Sequence, residues 1–106
     1  MEVTAWNNGQ HYRSDAGYGF KVSIADRDRH FRRSWSTVQV KLPGQAAPIE
    51  VNVGKASFWS DACRELISRE LGLWFIEHGY APWEQGSPPR FKLAVAGERK
   101  FRIVDR

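Results

Sequence analysis

Two clusters of cationic side chains have the types and spacing to do chemistry. Arg27, Arg29, Arg32 and Arg33 crowd around His30, just before Trp35. Arg90, Lys92, Lys100 and Arg102 recur at alternate positions of two later runs. A guanidinium offers a planar fork of donors matched to phosphate oxygens and to the guanine edge, so both clusters suit a polyanion. Arginine outnumbers lysine 11 to 5, which favours geometric recognition over mere solubility. The bland alternative is a solvated basic surface in which Asp26 and Asp28 pair with the neighbouring arginines.

Other chemistry finds little footing. His11, His30 and His78 are scattered, and a lone cysteine cannot build a zinc knuckle, so no metal is expected. Cys63 falls on an apolar helical stripe and reads as a buried structural thiol. No nucleophile elbow, Walker loop or dinucleotide fingerprint occurs, so no cofactor is expected. Gly17-Tyr18-Gly19 opens a strand, not a helix, and makes no phosphate cradle. Glu50 and Lys55 come nearest to the carboxylate and lysine set of a metal-dependent nuclease, but they are five positions apart and flank Gly54. The expectation is a protein that is not an enzyme.

Strands must position most of these cations. The stretch after a short first strand, Trp6 to Gly19, is dense in Asn, Gly, Ser and Asp, and residues 7–19 read as a mobile loop. Phe20, Val22 and Ile24 alternate with Lys21 and Ser23, the pattern of a half-buried strand. Ala25 to Phe31 reads as a short helix or a charged loop. Val38, Val40 and Leu42, then Ile49, Val51 and Val53, predict an antiparallel hairpin closed by Pro43-Gly44 and the run to Pro48. Phe91, Leu93 and Val95 alternate with Arg90, Lys92 and Ala94; after a turn at Ala96-Gly97-Glu98, Phe101 and Ile103 alternate with Lys100, Arg102 and Val104. The basic side chains therefore fall on the solvent face of a second hairpin.

One main helix is expected from Ser60 to His78. Ser60 suits the N-cap and Asp61 the first turn, and Trp59, Cys63, Leu66, Ile67, Leu71, Trp74 and Phe75 trace a stripe at helical spacing. Gly72 is a place for a kink, and Gly79 with Pro82 beyond it is the stop. The fold class is α+β: about six mostly antiparallel strands, as an open barrel or twisted sheet, with the main helix between the fourth and fifth strands.

The 106 residues suit a single domain. A net charge of +4 hides an uneven distribution. Lys21–Lys41 and Pro89–Arg106 each carry +4, whereas Ser60–His78 carries −2. The helix is the acidic side, and the basic charge belongs to the sheet and its loops. Five Trp, three Tyr and six Phe are many rings for a small domain, and most of them must fill a thin core. No apolar run is long enough to cross a membrane, the opening residues lack the features of a secretory signal, and one cysteine cannot form an internal disulfide. A cytoplasmic, reducing setting is the expectation.

The run Phe20-Lys21-Val22-Ser23-Ile24-Ala25-Asp26, with the charged stretch after it, resembles the opening of the DNA-binding pseudobarrel domains of plant transcription factors and of restriction-endonuclease recognition domains. Leu73-Trp74-Phe75 through Gly79-Tyr80 and Gly86 to Phe91-Lys92-Leu93 resembles that family's helix, loop and following strand. The resemblance implies an open barrel of about seven strands that grips the DNA major groove with loops and strand ends. Lys21 and the Arg27–Arg33 cluster would then lie nearest the groove.

The expectation is therefore a small nucleic-acid-binding module, for duplex DNA in preference to RNA. Its contacts would be Lys21, Arg27, Arg29, Arg32, Arg33, Arg90, Lys92, Lys100 and Arg102, with Trp35 as a stacking or wedge residue. The rival reading is a protein-interaction or assembly domain, homodimeric or with another partner, joined through Trp6, Trp35 and Trp83.

Overall fold

Alternation of buried and exposed side chains builds the sheet. The computed structural model describes residues 1–8 and 17–105. Strand β1 (Glu2–Asn7) buries Val3 and Ala5 and turns Glu2, Thr4 and Trp6 outward. It pairs antiparallel with β2 (Tyr18–Lys21), whose Tyr18 and Phe20 are fully buried. Helix α1 (Ile24–His30) follows directly, because Ser23 Oγ accepts the Asp26 N–H at 3.1 Å and caps the first turn. The expected strand through Ile24 is therefore cut short, and Ile24 becomes an exposed helix residue.

Strands β3 (Thr37–Lys41) and β4 (Ile49–Asn52) form the expected antiparallel hairpin, with Val38, Val40 and Val51 inside. Helix α2 (Ala56–Trp59) is a single turn. Strand β5 (Glu65–Ile67) precedes helix α3 (Arg69–Glu77), and β6 (Arg90–Gly97) and β7 (Lys100–Asp105) form the last hairpin. Among the described residues the order across the sheet is β4-β3-β7-β6-β1-β2-β5. Every pairing is antiparallel except β3 with β7. The sheet curls until β4 and β5 approach each other without a ladder between them, giving a nearly closed, barrel-like shape.

The expected helix from Ser60 is corrected: its first half is a turn and a strand. Leu66 pairs with Phe20, and both side chains are fully buried in the core. Without β5 the ladder groups of β2 on that side would be left unpaired, which costs more than the helical turns forgone. The helix begins instead at Ser68, whose Oγ accepts the Leu71 N–H at 3.4 Å and donates to Glu70 at 2.7 Å. Gly72 lies buried inside α3 without ending it. The stop is at Gly79, whose φ of +75° admits glycine without strain. The chain thus has seven strands and three helices among the described residues, and α3 falls between the fifth and sixth strands.

Two aromatic clusters hold the elements together. Phe75 of α3 stacks on Phe91 at 5.8 Å and meets Phe20 edge-on at 5.6 Å. Phe31, just after α1, stacks on Phe101 at 4.8 Å and meets Phe58 of α2 at 5.1 Å. Of the expected loop 7–19, Asn7, Tyr18 and Gly19 belong to strands, and Asn8 N–H bonds to the Gly17 carbonyl at 2.9 Å. Residues 9–16 lie outside the described residues. No described helix is long and apolar enough to cross a membrane.

Candidate nucleic-acid interface

Strand alternation puts most of the expected cations on the outer surface. Phe91 and Leu93 point into the core, so Arg90 and Lys92 point out; Phe101 does the same for Lys100 and Arg102. Register then lines them up. Arg102 is level with Lys41 on β3, Lys100 with Gln39, and Arg90 with Thr4, which is level on its other side with Lys21. Arg102 is also level with Ala94, four residues from Arg90, so the side chains form two groups on the outside of the sheet: Lys41, Lys100 and Arg102 towards the β6–β7 turn, and Lys21 and Arg90 towards the other end. Two exposed acids share this face: Glu2, 3.5 Å from Arg90, and Glu50 of β4, level with Gln39.

The hairpin joining β6 to β7 extends beyond the core. Every residue from Val95 to Lys100 is exposed, and Val95, expected to be buried, is 56% exposed. Beneath this tip lies a groove of about 670 Å³, walled by Arg29, His30, Arg32 and Trp35 on one side and Val95 and Glu98 on the other. Asp28 joins Glu98 as an acid lining this groove, and of the second cationic cluster Lys100 stands nearest the tip. Trp35 is half-buried with its ring 6.4 Å from Phe31, so it forms a wall of the groove and not a free wedge.

Arg27 is corrected. It is only 4% exposed, and its guanidinium donates to the carbonyls of Ser60 at 2.9 Å and Phe58 at 3.3 Å. It also pairs with Asp28 at 3.0 Å, so it ties α1 to α2 from inside and takes no place on the surface. Arg33 is exposed, with its guanidinium 4.8 Å from the centre of the Trp59 ring.

Sequence reasoning missed Lys41 and Arg64 as surface cations. The alternation with Val40 and Leu42 already placed Lys41 outward. Arg64 carried no signal, because it was assigned to a helix; it adopts a φ of +68° and donates from Nε to the Val22 carbonyl at 2.8 Å. Cys63 is likewise no helix residue: it is half-buried in the turn after Ser60, whose Oγ accepts its N–H at 3.2 Å.

One further cluster faces the seam. Lys55 lies near Glu65 and Cys63; burial pushes its ammonium below the ordinary value, while both neighbours pull the other way. Glu65 is 8% exposed, and its Oε2 has no hydrogen-bond partner. Among the described residues no set of three or more His, Cys, Asp or Glu side chains is placed to hold a metal. Compared with protein-family models, curated proteins and solved structures, the chain gives no significant match in any of the three.

Proposed function

We propose that the chain is a non-enzymatic nucleic-acid-binding module for duplex DNA. The observation that carries this reading is the β6–β7 hairpin, with Lys100 and Arg102 on its outer side and the Arg29–Arg32 groove under its tip. A two-stranded ribbon fits the major groove, which is about 12 Å wide. In this arrangement Lys21, Lys41, Arg90, Lys92, Lys100 and Arg102 neutralise phosphates over the outer face of the sheet, while Arg29, Arg32 and Arg33 contact the backbone or base edges beside the tip. Trp35 supplies a flat wall. The seven-stranded, barrel-like sheet also has the strand number implied by the resemblance to pseudobarrel DNA-binding domains.

The test is a mobility shift with random-sequence duplex DNA at about 50 and 200 mM salt. With about six phosphate contacts, affinity should fall by about three orders of magnitude between them. The pairs Lys100→Ala/Arg102→Ala and Arg29→Ala/Arg32→Ala should each weaken binding and shrink the salt slope by about two. Retention of wild-type affinity by both pairs would sink the reading. The rival aromatic interface is narrowed, because Trp35 and Trp83 pack against the core and Trp6 does not. A tight dimer in sedimentation, with no DNA shift, would restore it.

A further inference from the structure

Trp6 is the tryptophan that the core does not use. Trp74 is fully buried, and Trp35, Trp59 and Trp83 pack against buried side chains, whereas Trp6 stands half-buried on the outer side of β1. It borders a hollow of about 550 Å³ that it shares with Asn7, Trp83, Gln85 and Pro88. The Trp83 ring is fixed from behind by edge contacts to Tyr18 at 5.7 Å and Phe75 at 6.1 Å. The hollow is thus bordered by two indoles, one of them pre-set, with amide groups at its rim.

Two residues back along β1, on the same side and about 6.7 Å away, stands Thr4. It lies between Lys21 and Arg90 in the sheet register. These three line a second hollow of about 390 Å³ with Ser23, Arg64 and Glu2. An aromatic slot and a hydroxyl-bearing cationic groove therefore lie along one strand, with Trp6 of the first and Thr4 of the second two positions apart on the same side.

We infer that this pair of hollows binds one unpaired nucleotide, with its base against Trp6 and Trp83 and its phosphate among Thr4, Lys21 and Arg90. Stacking accepts any base, and the Gln85 amide at the rim can read its edge. The inference shares Lys21 and Arg90 with the duplex reading but needs neither the hairpin tip nor the Arg29–Arg32 groove.

Fluorescence anisotropy with three labelled probes tests it: a paired duplex, the same duplex with one unpaired thymine, and a short oligothymidylate. The bulged duplex should bind about tenfold tighter than the paired one. Trp6→Ala should abolish that preference and leave paired-duplex affinity unchanged; Gln85→Ala, in an exposed loop, should reduce it and serves if Trp6→Ala fails to fold. Oligothymidylate binding that depends on Trp6, without paired-duplex binding, would support the slot and remove the duplex reading. Thymidine monophosphate as competitor separates sources: displacement at matching concentrations would support a free nucleotide as occupant, and displacement only by the oligonucleotide would support a polymer. Equal affinity for bulged and paired duplexes, or a preference that survives both substitutions, would overturn the inference.

Discussion

Arg27 shows how one residue can leave the surface without changing type. In a helix, positions four apart share a face, so Arg27 lies on the same side of α1 as Phe31, which anchors the chain in the core. Its stem follows that ring inward, and its guanidinium finds the carbonyls of Phe58 and Ser60. Arg29, two positions on, remains exposed. Replacing Arg27 with methionine keeps the stem but leaves those carbonyls without their donor. Urea denaturation should show a loss of about 3 kcal/mol. Duplex affinity under folding conditions should change less than twofold; a tenfold drop would return Arg27 to the contact surface. The i, i+4 relation was visible in the sequence, but only once the segment was known to be helical.

Among the elements, β5 is the one that local pattern concealed. Glu65-Leu66-Ile67 is too short to show alternation, and Leu66 and Ile67 fit a helical stripe equally well. The decisive residue lies elsewhere, at Gly19 of β2. A Cβ built there would stand 2.4 Å from the Leu66 carbonyl oxygen, so the bare backbone is what lets β5 dock. Gly19→Ala should therefore cost about 2 kcal/mol, and amide exchange should speed up selectively in β5 and the end of β2. Unchanged protection at Leu66 would show that the contact relaxes freely. The two long hairpins were legible because each carries its own alternation and its own turn. The first half of the expected helix was not, because its fate depends on a partner more than 40 residues away.

At the scale of the whole molecule, the seam of the barrel places charge where neither hairpin would predict it. Lys55 leads from β4 into α2, and Glu65 opens β5, so near-closure of the sheet brings them together. Burial holds the Lys55 ammonium below its ordinary 10.5, although Glu65 and Cys63 oppose the shift. The folded protein therefore holds this proton less tightly than the unfolded chain does, and the unfolded state binds more protons in that range. It follows that Lys55 adds a stability that rises as the pH climbs from its folded value towards 10.5. Compared with Lys55→Met, the wild type should gain in urea midpoint as the pH rises through that window. A constant difference would refute the shift. The buried Tyr18 phenol, raised above 10.0, acts in the opposite sense, favouring the fold until the unfolded chain begins to ionise. The comparison with Lys55→Met removes that common background.

What the sequence determined by itself is local: the α+β class, the two hairpins, the outward set of Arg90, Lys92, Lys100 and Arg102, the helix stop at Gly79 and the basic bias of the sheet. Each follows from residues within one or two turns of chain, where period and turn chemistry act directly. Only the tertiary structure decided that β5 exists, that β3 runs parallel to β7, that Arg27 faces inward, and that Trp6 is the indole left outside the core. Those outcomes depend on which edge must be paired and which face is already covered. Both are set by segments far away along the chain, through the cost of leaving backbone groups unpaired and apolar surface in water.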